Sequence, residues 1–277
     1  EGTDSTYVTS FNSDGFSLGT NNGMNKNTLT YVAWQWKANG GSRTTFTESG
    51  NNPAGGYQAN ATAGFSIIDY TGTGAAGTVA HGLGATPKVV IIKGRTNTEH
   101  WIVATTQLDG SRDGLYLETT GAKFDLSSTN ELIFDSTNIT VSDDWVDTNA
   151  DGQTYIMYAF APIKGYSRFG MYRGNGSTDG TFVFTGFSPA WVLVRRTDSG
   201  NNWHLHDNQR VTSNPNNLTL YPNLQDGNAS EGLDMLSNGF KLRESGGGYN
   251  ADGGTYMYMA FAESPFTSSE GVPTTSK

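Results

Sequence analysis

The chain has no cysteine among its 277 residues. Disulfide frameworks and thiolate chemistry are thereby excluded, and the compartment stays open, because extracellular proteins need not carry cysteine. Basic residues are scarce: 17 Lys and Arg stand against 26 Asp and Glu, a net charge of −9. No basic run is longer than Arg195-Arg196. Nucleic acid is disfavoured as a partner, since phosphate binding needs a basic stripe. Long apolar runs are missing too. The longest, Tyr155 to Ile163, is too short to cross a bilayer as a helix, so no membrane insertion is expected. No amphipathic stretch of helical period exceeds about ten residues. Hydrophobic residues make up only 35% of the chain, and its apolar share is carried by 36 glycines and by aromatics at 12% rather than by Leu and Ile. Gly and Asn at this density fit an all-β chain with many turns.

What is present is a repeat. Pro87-Lys88-Val89-Val90-Ile91-Ile92-Lys93 reads against Pro189-Ala190-Trp191-Val192-Leu193-Val194-Arg195, and Trp101 against Trp203. Asn149-Ala150-Asp151-Gly152, followed by Thr154 to Ala161, reads against Asn250-Ala251-Asp252-Gly253, followed by Thr255 to Ala262. Gly64 to Tyr70 matches Gly165 to Tyr172. The spacing is roughly 101–102 residues. A solenoid repeat runs only about 20–50, so this period is one small domain. The opening echoes the end. Gly15-Phe16-Ser17-Leu18 and Thr30 to Trp36 resemble Gly239 to Leu242 and Thr255 to Phe261.

The expected organisation follows. Residues 1–38 read as the C-terminal part of an upstream β-domain, with Thr30–Trp36 as a strand, and the chain as the C-terminal piece of a longer protein. Residues 39–63, rich in Gly, Asn, Ser and Thr, read as a linker. Residues 64–162 and 163–263 read as two β-sandwich repeats, jelly-roll-like, and 264–277 as an extended tail. Val89–Ile92 and Val192–Val194 have the continuous apolar character of strands buried on both faces.

Several motifs look chemical. Gly15-Phe16-Ser17-Leu18-Gly19 matches a nucleophile elbow, but the elbow needs a helix after it and a turn follows here. Gly72-Thr73-Gly74-Ala75-Ala76-Gly77 matches a dinucleotide fingerprint, yet strand-like sequence follows; a hairpin loop is the plainer reading. His204-Leu205-His206 could place two imidazoles on one strand face for a metal, though a partly exposed strand accounts for it. Asn149–Gly152 and Asn250–Gly253 resemble fragments of calcium loops but lack the further oxygen ligands; Asp-Gly between strands signals a turn. No cofactor or metal is expected. Trp101 and Trp203 recur at one register, as core residues do. The segment Ser142–Asp147 differs most between the copies, with Asp143, Asp144, Trp145 and Asp147 where the other copy is glycine-rich. A tryptophan among clustered acids could stack on a sugar or anchor a partner, or pack on its own hairpin.

The full repeats resemble a domain found in tandem in virion proteins of marine bacteriophages, chiefly tail-fibre and structural proteins. The resemblance spans about residues 64–277. It is carried by Tyr70-Thr71-Gly72-Thr73-Gly74, His81-Gly82-Leu83-Gly84 with Pro87-Lys88-Val89, Thr185-Gly186-Phe187-Ser188-Pro189-Ala190-Trp191-Val192, and Met259-Ala260-Phe261-Ala262-Glu263-Ser264-Pro265-Phe266. Residues 11–38 look like the end of the preceding, often lectin-like, domain in such proteins. The resemblance implies a non-enzymatic virion part: a tail-fibre or receptor-binding appendage, homo-oligomeric and most simply trimeric, contacting other virion proteins and a host surface glycan or protein. The expected receptor-binding residues are Asp143, Asp144, Trp145 and Asp147. The alternatives are a capsid-decorating or head-fibre protein and a polysaccharide-degrading tail enzyme. The enzyme would need paired carboxylates about 5–10 Å apart, for which Asp109, Asp113, Asp143 and Asp144 are available.

Overall fold

The computed structural model describes residues 5–39, 41–127, 131–143, 145–225 and 229–263. The chain forms two compact units, residues 1–36 and 37–277. In the first, β1 (Val8–Phe11) and β2 (Phe16–Leu18) form an antiparallel hairpin. A four-residue helix, α1 (Asn22–Asn25), follows, capped by the Asn21 side chain accepting from Gly23 N at 2.7 Å. Gly19 is obligatory, because a Cβ there would meet Thr6 O at 2.3 Å. The strand expected at Thr30–Trp36 does not form. Its pattern is that of a central strand, and a central strand needs a neighbour on each side; the hairpin of this unit supplies neither. None of the described residues 5–36 is buried, and Phe11 is 87% exposed.

In the second unit, β3 (Thr44–Phe46), β4 (Gly55–Asn60), β5 (Phe65–Thr71), β7 (Val89–Gly94), β8 (Trp101–Thr105), β9 (Asp113–Tyr116), β10 (Phe124–Asp125) and β13 (Thr154–Phe160) make one antiparallel sheet. Its order is β10-β9-β8-β7-β13-β5-β4-β3. Facing it, β6 (Gly77–Ala80), β11 (Ile133–Phe134) and β12 (Asn138–Val141) are ordered β11-β12-β6. The core between the two sheets includes Ile68, Val90, Ile92, Ile102 and Met157 from one and Val79, Ile139 and Val141 from the other. We call this module 1. In module 2, β14 (Ser167–Arg173), β16 (Pro189–Arg196), β17 (Trp203–Asp207) and β20 (Thr255–Ala262) are ordered β14-β20-β16-β17. They face β15 (Phe182–Phe184), β18 (Leu233–Leu236) and β19 (Gly239–Leu242), ordered β15-β19-β18. The strand order β5-β13-β7-β8 with β6-β12-β11 therefore recurs as β14-β20-β16-β17 with β15-β19-β18. The fold is all-β, in two-sheet antiparallel modules.

The expected linker at 39–63 is corrected: it contains β3 and β4, which extend the main sheet of module 1. Glycine hid the strand. A Cβ on Gly55 would strike Asp69 O at 2.1 Å, and one on Gly56 would meet Thr44 O at 2.6 Å. A strand that begins Gly-Gly shows no apolar alternation, yet its backbone pairs with β5 from Asn60 to Gly55. The extended tail expected at 264–277 lies outside the described residues.

The modules share a buried face. Strand alternation puts Val103 and Leu115 on the side opposite Ile102 and Ala104, yet both are buried. Leu193, Trp203 and Leu205 are buried on the corresponding side in module 2. Trp203 Nε1 donates to Tyr116 O at 3.0 Å, Lys123 N to Thr197 O at 2.9 Å and Asn201 N to Thr120 O at 2.9 Å. Phe160 meets Phe169 and Phe261 edge-on, centroids 6.2 and 6.1 Å apart. Arg195, the counterpart of Lys93, is fully buried here. Its guanidinium lies 5.6 Å from the Trp203 ring centroid and donates to Gly121 O; burial lowers its pKa to about 10.

Candidate functional site

The repeated Asn-Ala-Asp-Gly segments are built as structural ties. Asn149 Nδ2 donates to the carbonyls of Ala75 (2.8 Å) and Ser142 (2.7 Å), and its Oδ1 accepts from Thr73 N at 3.1 Å. Asn250 Nδ2 donates to Ser177 O and Glu244 O, both at 2.7 Å, and its Oδ1 accepts from Asn175 N at 3.1 Å. Each Asn is fully buried and fastens the loop after β5 or β14 to the turn before β13 or β20. The glycines of the apparent fingerprint serve the same join: a Cβ on Gly72 would meet Ala150 O at 2.3 Å, and on Gly174 Ala251 O at 2.1 Å. Above each tie two tyrosines stack: Tyr70 on Tyr155 at 5.2 Å, Tyr172 on Tyr256 at 5.0 Å. Their hydroxyls close the turn, Tyr155 Oη donating to Val146 O (2.8 Å) and Tyr256 Oη to Gly247 O (3.1 Å). Buried carbonyls must find donors, and these side chains supply them. Both motifs are thus occupied in holding the loop. Ser17 sits in the β1–β2 hairpin, accepting from Asn12 Nδ2 at 3.1 Å, with only a turn and the four-residue α1 after it.

Of the expected receptor-binding residues, Asp144 lies outside the described residues. The others are placed as follows. Trp145 is half-buried, packs on the core of module 1 and meets Phe124 edge-on at 6.5 Å. Its carbonyl accepts from Asn149 N at 2.7 Å, and the counterpart carbonyl of Gly246 accepts from Asn250 N at 3.0 Å. The turn itself is therefore repeated, and only its side chain differs. Asp147 is buried and accepts from His100 N at 2.8 Å; the exposed Asp143 accepts from Ala76 N at 2.8 Å. Asp143 and Asp147 thus each satisfy a backbone amide, which gives these two acids a structural role in the turn.

The carboxylates considered for hydrolysis are also engaged. Asp109 and Asp113 both hold Lys123 Nζ, at 2.7 and 2.6 Å. That hydrogen bond, with those from Ser111, holds the Asp109 carboxyl well below the usual carboxylate range. Burial raises Asp113. His204 and His206 face the module 2 core, against Tyr249. By strand register their module 1 counterparts are Ile102 and Ala104, at the offset of Trp203 from Trp101. His206 Nδ1 is 3.3 Å from Asn216 Oδ1, an oxygen that only accepts, so this nitrogen carries the proton; Nε2 is 3.0 Å from Thr219 Oγ1. Burial pushes the His206 pKa down to about 4. His204 Nε2 lies 3.1 Å from Glu231 Oε2. Burial works to raise Glu231, but His204 and Tyr221 outweigh it and its carboxyl titrates below the ordinary value. Among the described residues no three His, Cys, Asp or Glu side chains converge to hold a metal ion.

Concavities remain among the described residues, one of about 290 Å³ beside Arg43, Phe46 and Asp69. A pocket of about 230 Å³ opens beside the segment after β17, lined by Ser188, Asn208, Gln209, Thr212, Asn214 and Glu263 among others. Its amides, hydroxyls and carboxylate match the hydroxyl groups of a sugar. Sequence reasoning missed it, and the run Asn208-Gln209 with Thr212-Ser213-Asn214 was its only signal. A more apolar groove of about 490 Å³ runs along the start of β14.

A family model described as a domain of unknown function, DUF7483, matches residues 1–265. The chain belongs to that family. The match takes in the 1–36 unit together with both modules. No curated protein and no solved structure matches the chain.

Proposed function

We propose that the chain is a non-enzymatic structural protein of a bacteriophage virion, an appendage that meets the host surface. The observation that carries this reading is the buried face between the modules. Two sandwiches joined through Trp203, Leu193 and Leu205 act as one stiff body, which is what an extended attachment part requires. Further support comes from the family resemblance of the repeats, from the burial of Asn149, Asn250 and Asp113 within the fold, and from the pairing of Asp109 with Lys123. The host contact moves from the Trp145 turn to the pocket beside Asn208–Asn214, whose partner would be a surface glycan. Other virion proteins and further copies of the chain are the remaining partners.

Antibody raised against module 2 and imaged on intact particles tests the location. Label at fibre tips supports the appendage. Label over the head shell favours the capsid-decorating alternative. Thr212→Trp, which fills the pocket from an exposed position, should weaken binding of the purified chain to host cells. Unchanged binding would remove the pocket from the reading.

A further inference from the structure

The seven-residue strand β14 is an edge of its sheet. Its module 1 counterpart β5 is not: β4 pairs along it antiparallel, and β3 follows. There Ile67 faces Gln58 and Asp69 faces Gly56. Aligning Tyr70 with Tyr172 makes Phe169 and Met171 the counterparts of Ile67 and Asp69. The ladder to β20 fixes the backbone directions. Ala262 N donates to Tyr166 O and Gly174 N to Gly254 O, so the even-numbered residues of β14 bond to β20. The N–H and C=O groups of Phe169 and Met171 consequently point outward, where no strand of the described residues pairs. The segment before β14 offers no strand to place there, since β13 ends at Phe160 and β14 begins at Ser167.

The other sheet edges are short, as folded proteins keep them. β3 and β15 have 3 residues each, β10 and β11 have 2 each, β6 and β18 have 4 each. The free side of β17 is bridged by Leu220 to Leu205. β14 is the exception. It is long, its Met171 is 36% exposed, and Phe184 beside it in the groove is 53% exposed.

We infer that β14 pairs with β14 of a second copy of this chain, antiparallel about a two-fold axis at Gly170. The strand is self-complementary in that register. Phe169 falls opposite Met171 on the other copy, and each exchanges both of its outward backbone bonds. Arg168 falls opposite Tyr172 and Arg173 opposite Ser167, so no two cations face each other. The two Gly170 residues meet at the axis with no Cβ between them. Such isologous contacts close on themselves and give dimers rather than fibres. The groove lined by Pro162, Phe169 and Phe184 would lie under the second half of the partner strand. This concerns a sheet edge alone, and stands or falls independently of the virion reading.

Light scattering on the full chain should give about twice its 29.7 kDa mass. Met171→Pro removes an outward donor and no bond to β20, so it should yield a folded monomer, whereas Met171→Ala should remain dimeric. Gly170→Cys gives a second, independent measurement in a chain without cysteine. Opposed residues of this non-hydrogen-bonded kind lie about 4.5 Å apart at Cα, within disulfide reach. An added Cβ would stand 3.1 Å from the Tyr258 ring edge, which can yield. A disulfide-linked dimer should form under mild oxidation. A monomeric wild type overturns the inference, as does an oligomer indifferent to Met171→Pro. Should Met171→Pro fail to fold, the crosslink decides alone, and its absence is equally fatal.

Discussion

The two modules share a frame and spend one segment of it differently. Between β8 and β11, module 1 builds β9 and β10, and these carry Tyr116, Thr120, Gly121 and Lys123 to the other module. Between β17 and β18, module 2 instead lays an irregular chain over its own sheet edge, with bridges Leu205–Leu220, Asn216–Leu233 and Thr219–Ala229. Beneath it stand His204 and His206, where module 1 has Ile102 and Ala104. The frame depends on repeated ties, Asn149 and Asn250 under paired tyrosines. The freedom lies in what the segment after the fourth main strand is used for: docking in one copy, a polar core and a pocket in the other. Strand order is thus held by bonds that recur atom for atom, and specialisation is confined to a stretch those bonds do not touch.

The largest expected effect separates Trp203 from Trp101. The two occupy one register, but Trp203 is fully buried between the modules and Trp101 is only partly buried. Trp203→Ala should lower stability by about 3–5 kcal/mol, and Trp101→Ala by about 1 kcal/mol. Denaturant unfolding of both variants checks this. Equal losses would mean that the shared face is not where module 2 gains its burial.

Acid should act on module 2 through His206. Its pKa is depressed to about 4 by burial, against an ordinary value near 6.5. The unfolded chain therefore takes up the proton first. Stability is complete above about pH 6.5, falls as pH drops towards 4 and levels off below, an effect on the order of 3 kcal/mol. The groups facing His206 are His204, Glu231, Arg210, Tyr249, Asn216 and Thr219. His206→Ala, which installs the residue of module 1, should flatten the pH profile between 6.5 and 4. A profile unchanged by the substitution would assign the acid response to other groups.

The ties should be matched in strength. Asn149→Ala and Asn250→Ala each leave two carbonyls and one amide, buried or partly buried, without their donor or acceptor, and each should cost about 2 kcal/mol. Hydrogen exchange should then rise locally, at Thr73–Ala76 in the first variant and Asn175–Gly180 in the second. A severe loss in one copy with indifference in the other would break the equivalence of the modules.

How far the sequence reveals this depends on what carries the information. The paired strands Thr154–Phe160 and Thr255–Ala262 are legible because each has a buried aromatic-rich face and is written twice. β4 is not, because close packing against Asp69 and Thr44 demands glycine, and glycine reads as a linker. Thr30–Trp36 has the pattern of a central strand, but a pattern does not say whether neighbours are present. Trp101 and Trp203 look alike because register fixes the direction of a side chain and not what covers it. The ties at Asn149 and Asn250 are visible as a repeat, yet their role is set by carbonyls 74 and 73 residues away in sequence. The pocket beside Asn208 has no partner in the other copy, so the repeat gives no notice of it.

The smallest expected effect concerns Trp145, and it bears most directly on where the molecule meets its partner. The contrast between Trp145 and Gly246 suggests a binding loop only if the turn exists for the side chain. The turn exists in both copies, closed by the same bonds from Asn149 N and Asn250 N and from the tyrosine hydroxyls. A Cβ at Gly246 would meet nothing within 4 Å, so that position is neither cramped nor dependent on a large side chain. Trp145 is accordingly an addition to a turn that stands without it, packed against Phe124 and the module 1 core. Losing a half-buried ring packed in this way should cost about 1–2 kcal/mol. Trp145→Ala should thus lower the melting temperature by a few degrees and leave binding of the purified chain to host cells unchanged, the reverse of Thr212→Trp. If Trp145→Ala instead abolishes binding at an unaltered melting temperature, the host contact returns to this turn, and the polar pocket of module 2 loses its role.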